Sequence, residues 1–350
     1  MVTAELIARA RSGDGDAFRE LTEPYLRELQ VHCYRMLGSF EDAEDALQNT
    51  LLAAWQSLGG FQGRASLRTW LYKIATHRCL DARRAAIRRP PKEWDVPGVE
   101  PPEPTRLGEV VWLQPFPDAL LEDAIDGPPG PEARYEQTES ISLAFVTALQ
   151  VLPARQLAVL ILRDVLGFPA SEVAGMLDST VESVTSALKR ARATLERRRT
   201  AAGGREPPPA AGSPAEDAIV AKFTTAYESA DLGALVALLT DDVFMSMPPV
   251  PLEYEGRSLV ASFIGSLFAA GRRVDLVPTR ANGQPAFGMY LSAPSGARQA
   301  TGLITIAIAG DRIRATSRFD ASVLRWFGLP LTLPGSTPTV PPRPRSRRCR

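Results

Sequence analysis

The chain has 350 residues, 45% of them hydrophobic and 23% charged, ordinary globular usage that excludes a wholly disordered or fibrous protein. Forty Lys plus Arg balance forty Asp plus Glu, so global charge points neither to nucleic acid nor to a basic partner and only local charge carries an argument. Three cysteines, Cys33, Cys79 and Cys349, lie far apart without a C-x-x-C pair, which excludes a disulfide scaffold or a thiol-rich zinc site. Glu5, Arg9 and Arg11 interrupt any leader-like apolar start, and no eighteen-residue uncharged run follows. A soluble, cytoplasmic chain without membrane association is expected.

Proline divides the chain. Eleven of the 30 prolines lie between Pro90 and Pro131, four between Pro207 and Pro214 and six from Pro330 to Pro344. Because proline removes a backbone donor and biases its predecessor to extended conformations, these clusters predict linkers at 90–131 and 201–214 and a disordered Pro/Arg-rich tail at 330–350. Packed segments remain at 1–89, 132–200 and 215–329.

In the first segment Ala43, Ala46, Leu47, Thr50, Leu51 and Ala54 recur at helical spacing, with Glu41, Glu44, Asp45 and Gln48 on the other face. A second helix over Leu67–Arg84 has Leu71, Ile74, Ala75 and Leu80 on one side and Arg68, Lys73, Arg78, Arg83 and Arg84 around it. Phe61, Trp70 and Tyr72 interleave with Arg64, Arg68 and Lys73, a pattern suited to single-stranded nucleic acid, where bases stack on rings and cations follow the backbone. Trp70 taken alone reads as core. The acidic helix suits a basic protein partner instead.

The second segment predicts helices over Ile141–Gln150, after Pro153, over Ser171–Leu177 and over Val181–Arg199. Asp178-Ser179-Thr180 joins the last two as a helix-turn-helix, and Ser179-Thr180-Val181-Glu182 has capping-box spacing. Lys189, Arg190 and Arg192, followed by Arg197, Arg198 and Arg199, exceed what complementing the helix dipole requires. In the third segment two helices, about 215–229 and 232–239, precede strands near 243–247, 274–279 and 286–292. Two alternating runs, Thr301–Ile308 and Arg312–Arg318, flank the hairpin turn Gly310-Asp311. The expected fold is multidomain: two all-α helical domains and a C-terminal α+β domain with a curved antiparallel sheet.

Asp42-Ala43-Glu44-Asp45-Ala46-Leu47-Gln48 and Phe61-x-Gly63-Arg64-Ala65-Ser66-Leu67-Arg68-Thr69-Trp70-Leu71-Tyr72-Lys73 resemble region 2 of the extracytoplasmic-function group of bacterial sigma-70-type factors. Leu152-Pro153-x-x-Gln156, Ser171-Glu172-Val173-Ala174 and Leu188-Lys189-Arg190-Ala191-Arg192 resemble region 4. The resemblance covers roughly 1–200 and implies a factor that directs core RNA polymerase to promoter DNA and is not itself an enzyme. It implies that Asp42, Glu44, Asp45 and Gln48 dock the β′ clamp helices, with the β subunit as a further partner. It places Phe61, Arg64, Arg68, Trp70, Lys73, Arg78, Arg83 and Arg84 on the −10 element. It places Ser171, Glu172, Thr180, Glu182, Ser183, Thr185, Ser186, Lys189, Arg190 and Arg192 on the −35 element. The group often carries arginine where this chain has Thr185 and Ala187, so fewer bidentate guanine contacts are available.

Asn282-Gly283-Gln284-Pro285-Ala286 and the Gly310-Asp311 hairpin resemble the SnoaL-like (NTF2-like) domain fused to a subset of these factors. The resemblance implies a domain that modulates activity, with a small-molecule ligand left open and no cofactor or metal. The alternative is a SnoaL-type cyclase or isomerase joined to a helical DNA-binding module. Both histidines, His32 and His77, lie in the first segment, which excludes an Asp–His pair within 215–329 and leaves Asp241, Asp242, Asp275 and Asp320 as possible carboxylate bases.

Overall fold

The computed structural model of the chain describes residues 2–86, 89–109, 112–122, 141–201, 206–292 and 297–334. The expected tail beyond Pro334 and residues 123–131 of the expected linker lie outside the described residues.

Five helices form the first body: α1 (Val2–Arg11), α2 (Gly15–Thr22), α3 (Leu26–Leu37), α4 (Phe40–Ser57) and α5 (Leu67–Ala86). Gly38, at φ 73°, ends α3 in the left-handed conformation that glycine adopts freely, and the Ser39 hydroxyl accepts from Asp42 N–H to open α4. Leu29, Tyr34, Ala43, Leu71 and Ala75 close the core between α3, α4 and α5. After the short α6 (Ala119–Glu122), the second body comprises α7 (Leu143–Gln150), α8 (Ala154–Leu160), α9 (Ala170–Met176) and α10 (Val181–Ala201). A π turn, Ile161–Val165, extends α8.

The third body opens with α11 (Pro214–Glu228) and α12 (Leu232–Ala237), followed by β2 (Leu239–Met247), β3 (Val250–Glu255) and α13 (Arg257–Ala269). The strands β4 (Val274–Ala281), β5 (Gln284–Ser292), β6 (Arg298–Ala309) and β7 (Arg312–Phe319) complete it with β8 (Thr332–Leu333). The segment expected as a linker adds β1 (Arg106–Leu107) to the edge of β3, giving the order β1-β3-β2-β7-β6-β5-β4 with β8 on β6. Pairing is antiparallel except between β2 and β7, which run parallel, so the expected antiparallel sheet is mixed. The strand β3 and the helix α13 lie where no element was predicted.

Both faces of this sheet are buried. Phe287, Met289, Ile304 and Ile306 pack beneath Phe223 of α11 and Phe263 of α13. Ala286, Tyr290, Leu303 and Phe319, on the opposite side, join the core of the helical bodies. Phe116 is fully buried at the junction, 5.0 Å from the Tyr34 ring and 5.2 Å from that of Phe40, which in turn lies 4.9 Å from Trp326. The three bodies therefore share one continuous apolar core.

The β4–β5 turn fastens this junction. Asn282 and Gly283 take φ of 55° and 73°, the left-handed pair of a tight hairpin. Asn282 is completely buried, and its Oδ1 accepts from Phe116 N–H at 2.8 Å. Its Nδ2 donates to the Tyr34 hydroxyl at 3.0 Å and to the Ile141 carbonyl at 2.6 Å. Beside it Gly283 N–H donates to Asp118 at 2.8 Å, and Arg280 bridges Asp118 and the buried Glu216. Replacing Asn282 by glycine keeps the turn conformation and removes the three side-chain bonds, so Asn282→Gly is expected to lower stability by about 3 kcal/mol in urea unfolding of the full chain. A loss below about 1 kcal/mol would show that the junction is held elsewhere.

Candidate nucleic-acid interface

The acidic start of α4 is partly engaged by the rest of the chain. Asp42 is bound by Arg89 at 2.9 Å and keeps only 18% of its side chain exposed. Glu41 pairs with Arg325 of the third body at 3.0 Å, and burial raises the carboxyl pKa of the neighbouring Glu44. Asp45 and Gln48 face solvent, and Leu52, 55% exposed, continues their stripe at the next helical step. Sequence periodicity did not single out Leu52, because one exposed leucine in an otherwise amphipathic helix has no distinct pattern.

On and before α5 the expected nucleic-acid residues separate into three groups. Phe61 is buried against Trp70, ring centres 5.0 Å apart, and Trp70 is half-buried, so both belong to the core in this conformation. Arg68 grips Glu28 through Nε and Nη2 at 2.8–3.0 Å while lying over the rings of Tyr72 and Phe168. Arg83 reaches the carbonyls of Met36 at 3.0 Å and of Gln150 and Leu152 at 3.2 Å, tying the two helical bodies together. These two guanidiniums act as structural clamps here and are not presented to a ligand. Arg64, Arg78 and Arg84 remain exposed, although Arg84 also pairs with Asp81.

Lys73 stands apart from these three groups, because the helix-turn-helix partly covers it. Its ammonium donates to Asp178 at 2.8 Å and to the Gly175 carbonyl at 3.0 Å, and this contact holds the Asp178 carboxyl below the usual carboxylate range. Glu172 accepts from the Thr69 hydroxyl at 3.1 Å, and His77 Nε2 lies 2.8 Å from the Met176 carbonyl. Asp178 has φ 47°, a left-handed conformation that Asp tolerates better than most residues, and this turn carries its carboxylate back over α5. Acidic side chains of one expected DNA-reading module thus cover the basic helix of the other.

The helix expected to read DNA, α10, is itself open. Thr180, one residue after the predicted cap, accepts from Ser183 N–H at 3.2 Å. The Glu182 carboxyl is held below its ordinary range by its own backbone N–H and by Thr180. Val184, Ala187, Leu188 and Ala191 face the core, whereas Glu182, Ser183, Thr185, Ser186, Lys189 and Arg190 are exposed. Ala187 is only 7% exposed, so its side of the helix has no room for the arginine common in the group. Ser171 and Thr180 are exposed at the edge of the module. Arg192 departs from expectation: it is bidentate to Asp164 at 2.6 and 2.8 Å and braces α10 against the π turn.

Among the described residues no group of three or more His, Cys, Asp or Glu side chains is placed to hold a metal ion, and no helix is long and apolar enough to cross a membrane. Cys33 and Cys79, distant in sequence, meet in the core of the first body, where burial pushes the Cys79 thiol up and removes its reactivity. The third body holds a cavity lined by aromatic and aliphatic side chains together with Arg272 and Arg318. None of the four aspartates considered as bases lines it: Asp241 pairs with Arg257, Asp275 with Arg298, Asp320 caps the turn at Ser322, and Asp242 is exposed.

Residues 21–89 match the sigma-70 region 2 family and residues 142–195 match sigma-70 region 4. The chain is 40% identical over 331 residues to the ECF RNA polymerase sigma factor SigG of Mycobacterium tuberculosis, covering 93% of this chain and 86% of SigG. It is 30% identical over 194 residues to SigM of the same organism, covering 55% of this chain and 83% of SigM. The crystal structure of M. tuberculosis SigJ, an extracytoplasmic function sigma factor, superposes with a TM-score of 0.55 at 22% identity, over 88% of this chain and 98% of that one. That match is long enough to take in the third body as well as the helical ones, so the three-body fold is shared with SigJ. With the region 2 and region 4 matches falling on the two bodies whose charged helices face each other, and with near full-length similarity to SigG, the chain belongs to the extracytoplasmic-function family of RNA polymerase sigma factors.

Proposed function

We propose that this sigma factor docks core RNA polymerase through the Asp45, Gln48 and Leu52 stripe of α4 and reads the −35 element with the exposed stripe of α10. The carrying observation is that α10 exposes Glu182, Ser183 and Ser186 towards its start and Lys189 and Arg190 one to two turns later, with the buried face packed on α8. That order puts short polar side chains where base edges are read and cations where phosphates run. The −10 surface is α5, served by Arg64, Arg78 and Arg84 at once and by Lys73 only after the helix-turn-helix moves away. In this reading the described conformation is a closed one, in which Glu172 and Asp178 take the place of DNA phosphate near α5.

The third body modulates this activity by lying against the start of α4 through Arg325, Trp326 and the Arg89 segment. Among the described residues its cavity lining contains no carboxylate or imidazole, which supports a regulatory domain over the alternative cyclase or isomerase.

Asp45→Arg is expected to reduce core polymerase binding by at least about a hundredfold while leaving the unfolding midpoint unchanged, since an exposed charge reversal costs little stability. Unchanged affinity in a folded variant removes Asp45 from the docking surface. Lys189→Ala and Arg190→Ala should each weaken holoenzyme binding evenly across promoter sequences and reduce the salt slope by about one, whereas Ser183→Ala and Ser186→Ala should change the preferred −35 sequence. Fluorescence anisotropy on a promoter panel at several salt concentrations separates the two effects. The double variant Glu172→Ala, Asp178→Ala should bind single-stranded −10 DNA more tightly than the parent chain, with a steeper salt dependence as Lys73 becomes available. Equal affinities would show that closure does not compete with DNA.

A further inference from the structure

The cavity of the third body is partly filled by the chain itself. Trp94, from the segment expected as a free linker, enters its mouth and lies edge-on to Phe263 with ring centres 5.4 Å apart. With Trp94 in place the remaining void is about 30 Å³, too small for an organic ligand. Arg272, Arg318 and Tyr227 line the same space. Arg318 donates to the Thr301 carbonyl at 2.8 Å, and among the described residues neither arginine is paired with a carboxylate. Asp320, whose charge acts on Arg318, is bound by Ser322 and by Lys92 at 3.6 Å. Burial, and with it the Arg272 charge, lowers the proton affinity of Arg318 against the opposing effects of Tyr227 and Asp320. Two cations brought together against aromatic walls with no carboxylate paired to either are costly unless an anion joins them.

The occupant is tied to the polymerase-facing helix. Lys92 N–H donates to the Pro249 carbonyl at 3.1 Å, which ties the segment to the third body, and the Trp94 indole donates to the Val99 carbonyl at 2.8 Å within the segment. Five residues before Trp94, Arg89 stacks over Trp112 at 4.8 Å and binds Asp42 of α4. One short stretch of chain therefore plugs the cavity at one end and covers an acidic residue of α4 at the other.

We propose that the cavity binds an amphipathic carboxylate, an aromatic or alicyclic body bearing one acid group, which replaces Trp94, places its carboxylate between Arg272 and Arg318, and frees Arg89 from Asp42. The regulatory half of this proposal rests on the reading that the third body modulates polymerase docking; the binding half does not.

The test uses the full chain, with naphthoate as probe and naphthamide as its neutral isostere, by calorimetry. Trp94→Ala is expected to bind naphthoate at least about tenfold more tightly than the parent chain and to prefer the acid over the amide by about tenfold or more. Adding Arg272→Gln should abolish that preference, and Arg318→Gln should do the same; two variants guard against one failing to fold. Equal binding of acid and amide, or tight naphthoate binding that survives both glutamine variants, overturns the site. Core polymerase affinity is then measured with and without naphthoate and is expected to rise with it. Binding that leaves this affinity unchanged overturns the coupling to Asp42. Asn282→Gly, which loosens the third body without touching the cavity, reports on modulation itself: if it changes promoter-dependent transcription while naphthoate does not bind, modulation stands and the ligand site falls.

Discussion

A single buried amide organises this molecule. Asn282 sits at a hairpin tip, yet its side chain satisfies Phe116 N–H, the Tyr34 hydroxyl and the Ile141 carbonyl, groups from three otherwise separate stretches of the helical region. Buried polar atoms tolerate few arrangements, so this one contact sets where the sheet lies against the helices in a way that the surrounding apolar packing of Phe40, Phe116 and Trp326 does not. Greasy surfaces can slide, whereas a three-way hydrogen-bonded amide cannot without stranding its partners. Placing the sheet there puts Arg325 beside Glu41 and carries the 89–109 segment along the sheet edge towards α4.

The second organising interaction is electrostatic and much weaker. Lys73 with Asp178 and Thr69 with Glu172 are exposed contacts, each worth at most about 1 kcal/mol. The contrast suits the proposed closed conformation: the junction is built from buried hydrogen bonds, and the contact proposed to give way to DNA is built from surface charges that salt and phosphates can replace.

Much of the helical architecture was legible because its apolar residues keep a strict period, as with Ala43, Ala46, Thr50 and Ala54 in α4 or Val184, Ala187, Leu188 and Ala191 in α10. The roles of individual arginines were not. Arg68, Arg83 and Arg192 look like free cations in sequence, but their partners Glu28, Gln150 and Asp164 come from other helices, and nothing local distinguishes them from Arg64, Arg78 or Arg190. The strand β3 was hidden by Pro249 and Pro251, which read as breakers but are tolerated near a sheet edge. The helix α13 was hidden because its apolar residues, from Leu259 to Phe268, face several directions and leave no polar stripe. The proline-rich segment after Pro90 read as a linker because proline favours extended chain; extended chain is also what a sheet edge accepts, and Arg106–Leu107 pairs there.

That short strand also guards the fold against itself. Beyond β1 the edge of β3 would present unpaired backbone donors and acceptors to solvent, the surface on which sheets of separate molecules join. Arg106 reinforces the cover by binding both Glu253 and Glu255, placing charge along the rim. Any state in which the segment leaves the sheet exchanges an intramolecular strand for an adhesive edge, so its lifetime is limited by self-association unless another chain supplies a replacement strand.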